Sequence, residues 1–436
     1  MSAMEEPAQL VAGVGGKRVL NDLALLTMRG VSTVAKFLLA IYTARYLGLS
    51  DLGIYGLLTG ATNIVPAITG LGMTSWVTRK IVDLPRAEAL PLISGRLGLI
   101  LLIHLVLQPL AFATDILLGE PIPLHIAALC GAILLLDNLA NEAGDMLLAR
   151  RRVLYAYLVI FLRAGVWPIP VMAIGLLYPA ARSLEFLLVG WLGMLVVCWL
   201  MMLVFVLRQE RWRFLRPSVR TLLRDLPGGL VLYIKDLSSI GMFFDRFLIS
   251  MFLGLELTGV YTLFWSIANV VHSLAVYGVL HAQLPHIIAT ARATDQAGFR
   301  ALERQLQIQI GTWALLLTLG AIIATPLMIP FLDQPLVDDY LPIFWIILVA
   351  TLLRTAADAY GLALLALYQD RAIAVIAVGG AVASVLLNLV LTPLAGLWGA
   401  SLAYALTSGG LFGARYYFSR FKRSPLETGR RMGEVL

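Results

Sequence analysis

Twelve runs of mostly apolar residues follow one another along the chain, and they constrain its fold more than any other feature. A helix crosses the hydrocarbon core of a bilayer with about 20 apolar residues. The connections are short, and the runs cover 21–47, 52–78, 90–113, 123–149, 153–178, 184–208, 228–254, 258–283, 304–331, 341–367, 371–393 and 396–418. Hydrophobic residues make up 60% of the chain and charged residues 14%, so most of its surface must face lipid.

Helices fit these runs better than the strands of a closed barrel do. Strands of a membrane barrel alternate polar and apolar residues over about ten positions, whereas a segment such as 372–396 is almost continuously apolar. We therefore predict an all-α integral membrane protein with twelve transmembrane helices. Because Cys130 and Cys198 both lie inside apolar runs, we predict neither a disulfide framework nor a metal site.

Basic residues in the connections assign the orientation of the helices. With the N-terminus in the cytoplasm, the loop cations concentrate on the cytoplasmic side, where we also count Arg96 and Arg415, whereas the outer side holds Arg45 and Arg182. Cytoplasmic loops of membrane proteins carry such an excess. We predict a multi-pass protein of the bacterial inner (plasma) membrane with both termini in the cytoplasm. The basic residues responsible for the net charge of +7 lie mostly in these short connections, so nucleic acid is not an expected partner.

The longest polar stretch divides the chain into two halves. Residues 208–229 mix arginines with aromatic and leucine side chains, which fits either an amphipathic helix on the inner membrane surface or a solvated linker. We predict a cytoplasmic N-terminal segment over 1–20, an N-lobe of six helices over 21–208, a cytoplasmic amphipathic linker over 209–227, a C-lobe of six helices over 228–418 and a basic cytoplasmic tail over 419–436.

The two halves repeat each other at an offset of 206 residues. YLGLSDLGIYGLLTGATNIV (46–65) aligns with FLGLELTGVYTLFWSIANVV (252–271). The identical pairs are Leu47/Leu253, Gly48/Gly254, Leu49/Leu255, Gly53/Gly259, Tyr55/Tyr261, Leu57/Leu263, Asn63/Asn269 and Val65/Val271. Six helices per half give both repeats the same orientation, so we predict two pseudo-symmetric lobes with a substrate site between them.

LGLSDLGIYGLL after the first run and GLGMTSWVTRKIV at the end of the second carry a resemblance to a known family. They resemble the N-terminal region of the polysaccharide and O-antigen repeat-unit flippases, within the multidrug/oligosaccharidyl-lipid/polysaccharide (MOP) exporter superfamily. The sharpest match spans 36–83. The resemblance implies two six-helix lobes around a central cavity. It also implies a flippase that moves an undecaprenyl-pyrophosphate-linked oligosaccharide repeat unit from the cytoplasmic to the periplasmic leaflet by alternating access.

Ionisable residues inside the runs are the candidate site residues, because each costs about 2.5–3.5 kcal/mol in a membrane helix. The repeat offset maps Arg29 onto Lys235, which places two positive charges near the pseudo-twofold axis, where a pyrophosphate could be held. Pairing with carboxylates is the alternative, which stays open for Arg29 and Lys235 and is favoured for Arg163 and Arg246. The predicted cavity cations are Arg29, Lys36, Arg163, Lys235, Arg246 and Arg354.

Polar residues of the fourth and tenth runs add acids to the predicted cavity. Asp137, Asn141 and Asp145 recur every four residues, with Glu142 beside them, and form a stripe that we expect to line a wet cavity. Such a stripe could bind sugar hydroxyls or hold a coupling H⁺ or Na⁺. Asp358 is a further coupling candidate, although it lies four residues after Arg354 and could simply pair with it.

Two other classes of function compete with a flippase. A multidrug exporter of the same superfamily would need a cavity dominated by acids for organic cations, whereas six intramembrane cations favour an anionic substrate. A membrane-embedded glycan-processing enzyme would need positioned acid–base groups, usually on a sizeable polar loop, and the outer loops here are short. We predict no catalytic residue, no cofactor beyond a coupling ion, and a monomer. Expected partners are the lipid-linked substrate, membrane lipids, a glycan polymerase and other proteins of an export pathway.

Overall fold

The computed structural model describes residues 27–117, 123–209, 233, 240–241, 243–292 and 296–421. Helices joined by turns make up all of these residues, and β-strands are absent from them. Nine helices in this described part are long and apolar enough to cross a membrane. The prediction of an all-α integral membrane protein is therefore confirmed, while the count of twelve helices stays a prediction.

The first half of the chain follows the predicted runs closely. Its helices are α1 (27–46), α2 (Leu49–Gly70), α3 (Met73–Ile81), α4 (Arg86–Leu117), α5 (Leu124–Ala149), α6 (Val153–Phe161), α7 (Pro168–Leu177) and α8 (Leu184–Gln209). One π-helical turn, Leu162–Val166, joins α6 to α7, and a 3₁₀ turn, Pro179–Ala181, follows α7. Pro168 stands at the first position of α7, where its missing N–H costs nothing.

The second half is described from its seventh predicted run onward. Its helices are α9 (Asp245–Leu253), α10 (Leu255–Ala275), α11 (His281–Arg292), α12 (Gln296–Leu332), α13 (Pro335–Asp339), α14 (Leu341–Ala366) and α15 (Asp370–Phe421). A second π-helical turn, Val276–Leu280, links α10 to α11. The last two predicted runs meet inside α15, which breaks at Ala395 and Gly396, where Gly396 has a φ of 59°. The predicted linker, 209–227, lies outside the described residues apart from Gln209.

The second predicted run, 52–78, is not one helix. Leu71 and Gly72 adopt left-handed φ values of 48° and 68°, which separate α2 from the short α3. Arg150 caps the C-terminal end of α3, because its Nη1 donates hydrogen bonds to the carbonyls of Ile81 (2.9 Å) and Leu84 (2.7 Å). Unpaired carbonyls at a helix C-terminus favour such a cation. The sequence GLG at 70–72 carries the signal for this break.

The repeated segments form the contact between the two halves. Gly48 (φ 105°, ψ 172°) precedes α2, and its repeat partner Gly254 (φ 84°, ψ 177°) precedes α10 with the same backbone conformation. A Cβ added at Gly53 would collide with the backbone of Leu255, and one added at Gly259 would collide with the backbone of Leu49. Small residues let membrane helices approach this closely. The repeat seen in the sequence is thus a repeat of structure, and α2 crosses α10 at Gly53 and Gly259.

Further contacts join the halves at the same end of the helices. Arg45 Nη1 lies 3.1 Å from Asp333 Oδ2. Next to this pair, Gln334 Nε2 donates a hydrogen bond to the carbonyl of Ala44 at 3.1 Å. The two halves are therefore in contact at this end of the helices.

Candidate functional site

A cavity of about 540 Å³ lies between the two halves of the protein. Its walls come from α1, α2, α5 and the α6–α7 turn on one side and from α9, α10 and α14 on the other. The helices α2 and α10 cross near their first turns. The cavity lies between the later turns of these two helices.

Five cationic side chains line this cavity. They are Arg29, Lys36, Arg163, Arg246 and Arg354, which are five of the six predicted cations. Asp145 is the one acidic side chain among the described residues that line it. Lys235, the sixth cation, lies outside the described residues, so its pairing with Arg29 across the axis stays a prediction. The described wall has a strong excess of positive charge.

Arg246 connects the two halves and is incompletely bonded. Its Nη1 donates to the carbonyl of Gly56 (3.1 Å) and to the hydroxyl of Thr59 (3.0 Å), both on α2. Its guanidinium carbon lies 4.1 Å from the centre of the Trp265 ring. The side chain is buried, yet Nε and Nη2 have no hydrogen-bond partner among the described residues. Two buried donors without acceptors carry a large desolvation cost, which an anion that reached them would offset.

Arg163 is held by a carboxylate on the neighbouring helix. Its Nη1 lies 2.8 Å from Asp137 Oδ2, while its Nε has no partner among the described residues. Arg163 lies in the π-helical turn after α6, and π-turns are common at functional sites. Pairing, the favoured interpretation from the sequence, holds for Arg163, but the same side chain also lines the cavity.

Arg29 and Lys36 reach the cavity from α1. The Arg29 guanidinium lies 4.8 Å from the centre of the Tyr277 ring, which belongs to the π-helical turn after α10. The contact joins the two halves at the end of α1 opposite Arg45. Neither Arg29 nor Lys36 forms an ion pair with a described carboxylate. Both side chains therefore add positive charge to the wall of the cavity.

The predicted polar stripe of the fourth run is divided between two places. Asn141 and Asp145 line the cavity, as predicted. Asp137 does not line it and is bonded to Arg163. Glu142 faces away from it and pairs with Arg96, a residue that we had placed among the loop cations. Arg96 instead lies inside α4 with no exposed surface, and its Nε donates to Glu142 Oε1 at 2.9 Å.

Asp358 does not pair with Arg354, the alternative that the spacing of the two residues left open. Its Oδ1 accepts a hydrogen bond from Arg415 Nη1 at 2.5 Å, and its Oδ2 lies 3.6 Å from His272 Nε2. Arg354, four residues earlier, makes no ion pair with it and lines the cavity. Helix rotation explains the difference, because the packing of α14 points Arg354 and Asp358 at different neighbours. Arg415, which we had counted among loop cations, is thus part of the helix bundle.

Several uncharged polar residues of the site escaped the sequence analysis. Asn63 and Asn269 both line the cavity, together with Thr59, Ser266 and His272. The asparagines carried a signal, because they are an identical pair of the repeat. His272 carried none, since its role depends on Asp358 and on Thr355, whose hydroxyl lies 3.1 Å from His272 Nδ1.

An apolar cleft of about 470 Å³ adjoins the cationic cavity. It lies between α1, α10 and α12, and Phe37 and Val270 line both spaces. Leu316, on the α12 wall of the cleft, is 56% exposed, so the cleft reaches the lipid-facing surface. The charged chamber and the apolar cleft therefore lie side by side, with Phe37 and Val270 between them.

The described residues hold no group of three or more His, Cys, Asp or Glu side chains that could bind a metal ion. No family model matches the sequence, and no curated protein matches it. Similarity to known proteins therefore comes from solved structures.

Three solved structures illustrate this similarity. An inward-facing multidrug resistance transporter of the MATE family, in the MOP superfamily, covers 94% of this chain and 99% of its own, with 17% identity and a TM-score of 0.66. The lipid II flippase MurJ in an inward closed conformation covers 94% and 90%, with 13% identity and a TM-score of 0.69. An outward-facing MATE transporter covers 94% and 96%, with 17% identity and a TM-score of 0.57.

At these identities the similarity concerns the fold. This chain is a multi-pass membrane protein with the fold shared by MATE transporters and the lipid II flippase MurJ.

Proposed function

We propose that this protein is a flippase that moves a lipid-linked anionic oligosaccharide across the membrane by alternating access. The substrate would be an undecaprenyl-pyrophosphate-linked repeat unit, moved from the cytoplasmic to the periplasmic leaflet of a bacterial inner membrane. The observation that carries the proposal is Arg246, which lines a cavity together with four other cations and has two buried guanidinium nitrogens without a partner among the described residues. A pyrophosphate is the kind of anion that such donors suit.

The apolar cleft supports the lipid part of the substrate. A polyprenyl chain gains nothing from entering a charged chamber, but it can stay in an apolar cleft while its head group lies among cations. Phe37 and Val270 stand where the two spaces meet. This arrangement suits an amphipathic molecule better than a compact water-soluble one.

A multidrug exporter is the second candidate, and the MATE-like fold favours it. The charge of the cavity argues against it, since an organic cation would face five like charges and one carboxylate. Covalent catalysis is not part of either proposal. Coupling to H⁺ or Na⁺ through Asp145 or Asp358, cytoplasmic termini, a monomeric state and pathway partners such as a glycan polymerase complete the proposal.

Purified protein in liposomes tests the substrate class directly. A fluorescent undecaprenyl-pyrophosphate oligosaccharide is placed in both leaflets, and its loss from the outside-accessible pool is followed beside a cationic rhodamine dye. We expect movement of the lipid-linked glycan and no accumulation of the dye, with protein-free liposomes as the control. Dye transport without glycan movement would establish the exporter instead.

A further inference from the structure

One wall of the cavity consists of uncharged amide and hydroxyl side chains. Thr59, Thr62 and Asn63 come from α2, and Ser266, Asn269 and Ser273 come from α10. The charge of the cavity does not explain this wall, because a pyrophosphate needs cations and a polyprenyl chain needs apolar surface. Its chemistry therefore points to another part of a ligand.

The two asparagines occupy equivalent positions in the two halves. Asn63 lies ten residues after Gly53, and Asn269 lies ten residues after Gly259, which places each about 15 Å along its helix from the crossing point. Both side chains line the same cavity. The repeat thus brings one amide from each half to the same depth, on either side of the pseudo-twofold axis.

Neither asparagine uses its full hydrogen-bonding capacity within the protein. Asn63 Nδ2 donates to the carbonyl of Thr59 at 2.7 Å, and its Oδ1 has no donor among the described residues. The Asn269 amide makes no hydrogen bond to any described residue. An amide supplies donors and an acceptor together, which is what a sugar hydroxyl needs, since a hydroxyl both donates and accepts.

The hydroxyl of Thr59 links this wall to the cationic part of the cavity. It accepts a hydrogen bond from Arg246 Nη1 at 3.0 Å, and Asn63 is bonded to the Thr59 carbonyl on the same helix turn. A ligand whose anionic group binds Arg246 would therefore hold its next few atoms against Asn63. In a glycosylated pyrophosphate, those atoms belong to the first sugar.

We propose that Asn63 and Asn269 form a saccharide subsite that takes an uncharged, hydroxyl-rich sugar directly attached to the anionic group. The inference rests on the proposed function and deepens it, because it assigns the glycan and the pyrophosphate to different side chains. The competing interpretation is that the two amides only support the packing of α2 against α10.

A pair of lipid probes separates these possibilities. One probe is undecaprenyl pyrophosphate, and the other is the same lipid carrying one N-acetylglucosamine. Binding of both is measured on full-length protein in detergent, for the wild type, Asn63→Ala, Asn269→Ala and the double variant. Asn388→Ala is the matched control, because it removes a buried amide from α15 that is bonded to the Ser384 carbonyl outside the cavity.

We expect the wild type and Asn388→Ala to bind the glycosylated probe about tenfold more tightly than the bare one, as one or two good hydrogen bonds provide. The double variant should bind both probes equally, with unchanged affinity for the bare probe and an unchanged melting temperature. The single variants should lie between.

Equal binding of the two probes by the wild type would overturn the saccharide subsite and leave the flippase proposal intact. An equal loss of affinity for both probes in the double variant, or a lower melting temperature with the preference retained, would likewise assign the asparagines to packing. Binding of neither probe by the wild type would overturn the proposed function itself, together with the subsite.

Discussion

Arg96 and Arg246 are both buried inside the protein, but their surroundings differ in one decisive respect. Arg96 directs Nε at Glu142 (2.9 Å), Nη1 at the carbonyl of Thr69 (3.1 Å) and Nη2 at the hydroxyl of Thr74 (3.2 Å). Among the described residues, the Arg246 guanidinium forms hydrogen bonds through Nη1 alone. Arg96 belongs to the interior of the first half, whereas Arg246 lines the cavity.

The difference shows how to distinguish a structural from a functional buried charge. A guanidinium with every nitrogen bonded adds little affinity for a ligand, and breaking its pair leaves a charge stranded in the interior. A guanidinium with unbonded donors beside a cavity destabilises the ligand-free protein and strengthens the binding of an anion. Folding should therefore depend on Arg96, and substrate binding on Arg246.

The largest effect is expected for Arg96→Ala. It strands Glu142, and the cost of breaking such a buried pair is about 3–5 kcal/mol. We expect little protein in the membrane and a markedly lower melting temperature. Replacing both partners, as Arg96→Met with Glu142→Leu, should recover most of this loss, because no charge is then left unpaired. If Arg96→Ala accumulates normally, the structural assignment of this pair is wrong.

Arg246→Ala should leave most of the protein in the membrane while removing transport. Charge-assisted hydrogen bonds contribute about 1.5–3 kcal/mol, so we expect roughly a 10- to 100-fold loss of affinity for undecaprenyl pyrophosphate. Arg246→Lys keeps the charge but loses the planar fork and should recover only part of the affinity. Arg371→Ala, an exposed arginine at the start of α15, is the matched control. Unchanged affinity in Arg246→Ala would contradict the central comparison.

Arg29→Ala should have a smaller effect of the same kind. Arg29 supplies one of five cavity cations, and its contact with Tyr277 contributes about 0.5–1 kcal/mol. We expect a several-fold loss of affinity for the same lipid, restored in Arg29→Lys. Tyr277→Leu tests the contact separately. A collapse of protein level in Arg29→Ala would place this residue with Arg96 rather than with Arg246.

The smallest effect is expected at the exposed pair between Arg45 and Asp333. Their side chains are 38% and 83% exposed, and such pairs contribute at most about 1 kcal/mol. Arg45→Ala should barely change the melting temperature at physiological salt. A large drop would show that the outer contact is stronger than its exposure indicates.

The sequence was sufficient for the all-α membrane fold and for selecting five cationic side chains that line the cavity. Apolar runs predict membrane helices, because a helix needs apolar side chains where it contacts lipid. The Gly53/Gly259 pair marks the crossing, because only glycine allows two backbones to come so close. The sequence did not predict which charged residues pair with each other. Spacing along a helix suggested that Arg354 pairs with Asp358, yet Asp358 bonds Arg415, which is 57 residues away.

Distant pairs of this kind depend on how far each helix is rotated about its axis in the packed bundle. Arg96 shows the same limit, because a position near the start of a run is easily taken for a loop. Its partner Glu142 is 46 residues away on another helix. The stripe of the fourth run was predicted as one surface, although its residues divide between the cavity and the interior.

The crossing of α2 and α10 lies close to one end of both helices, so each helix extends much farther from the crossing on one side than on the other. From Gly53, α2 extends about 25 Å towards Gly70 but only about 6 Å back to Leu49. If the two helices rotated about the crossing by about 10°, the Gly70 end of α2 would move by roughly 4 Å and its Leu49 end by roughly 1 Å. Rotation at the crossing would therefore change the width of the cavity while the Leu49 ends stay nearly fixed. A wider separation of the Leu49 ends would require the contact at Gly53 and Gly259 itself to come apart.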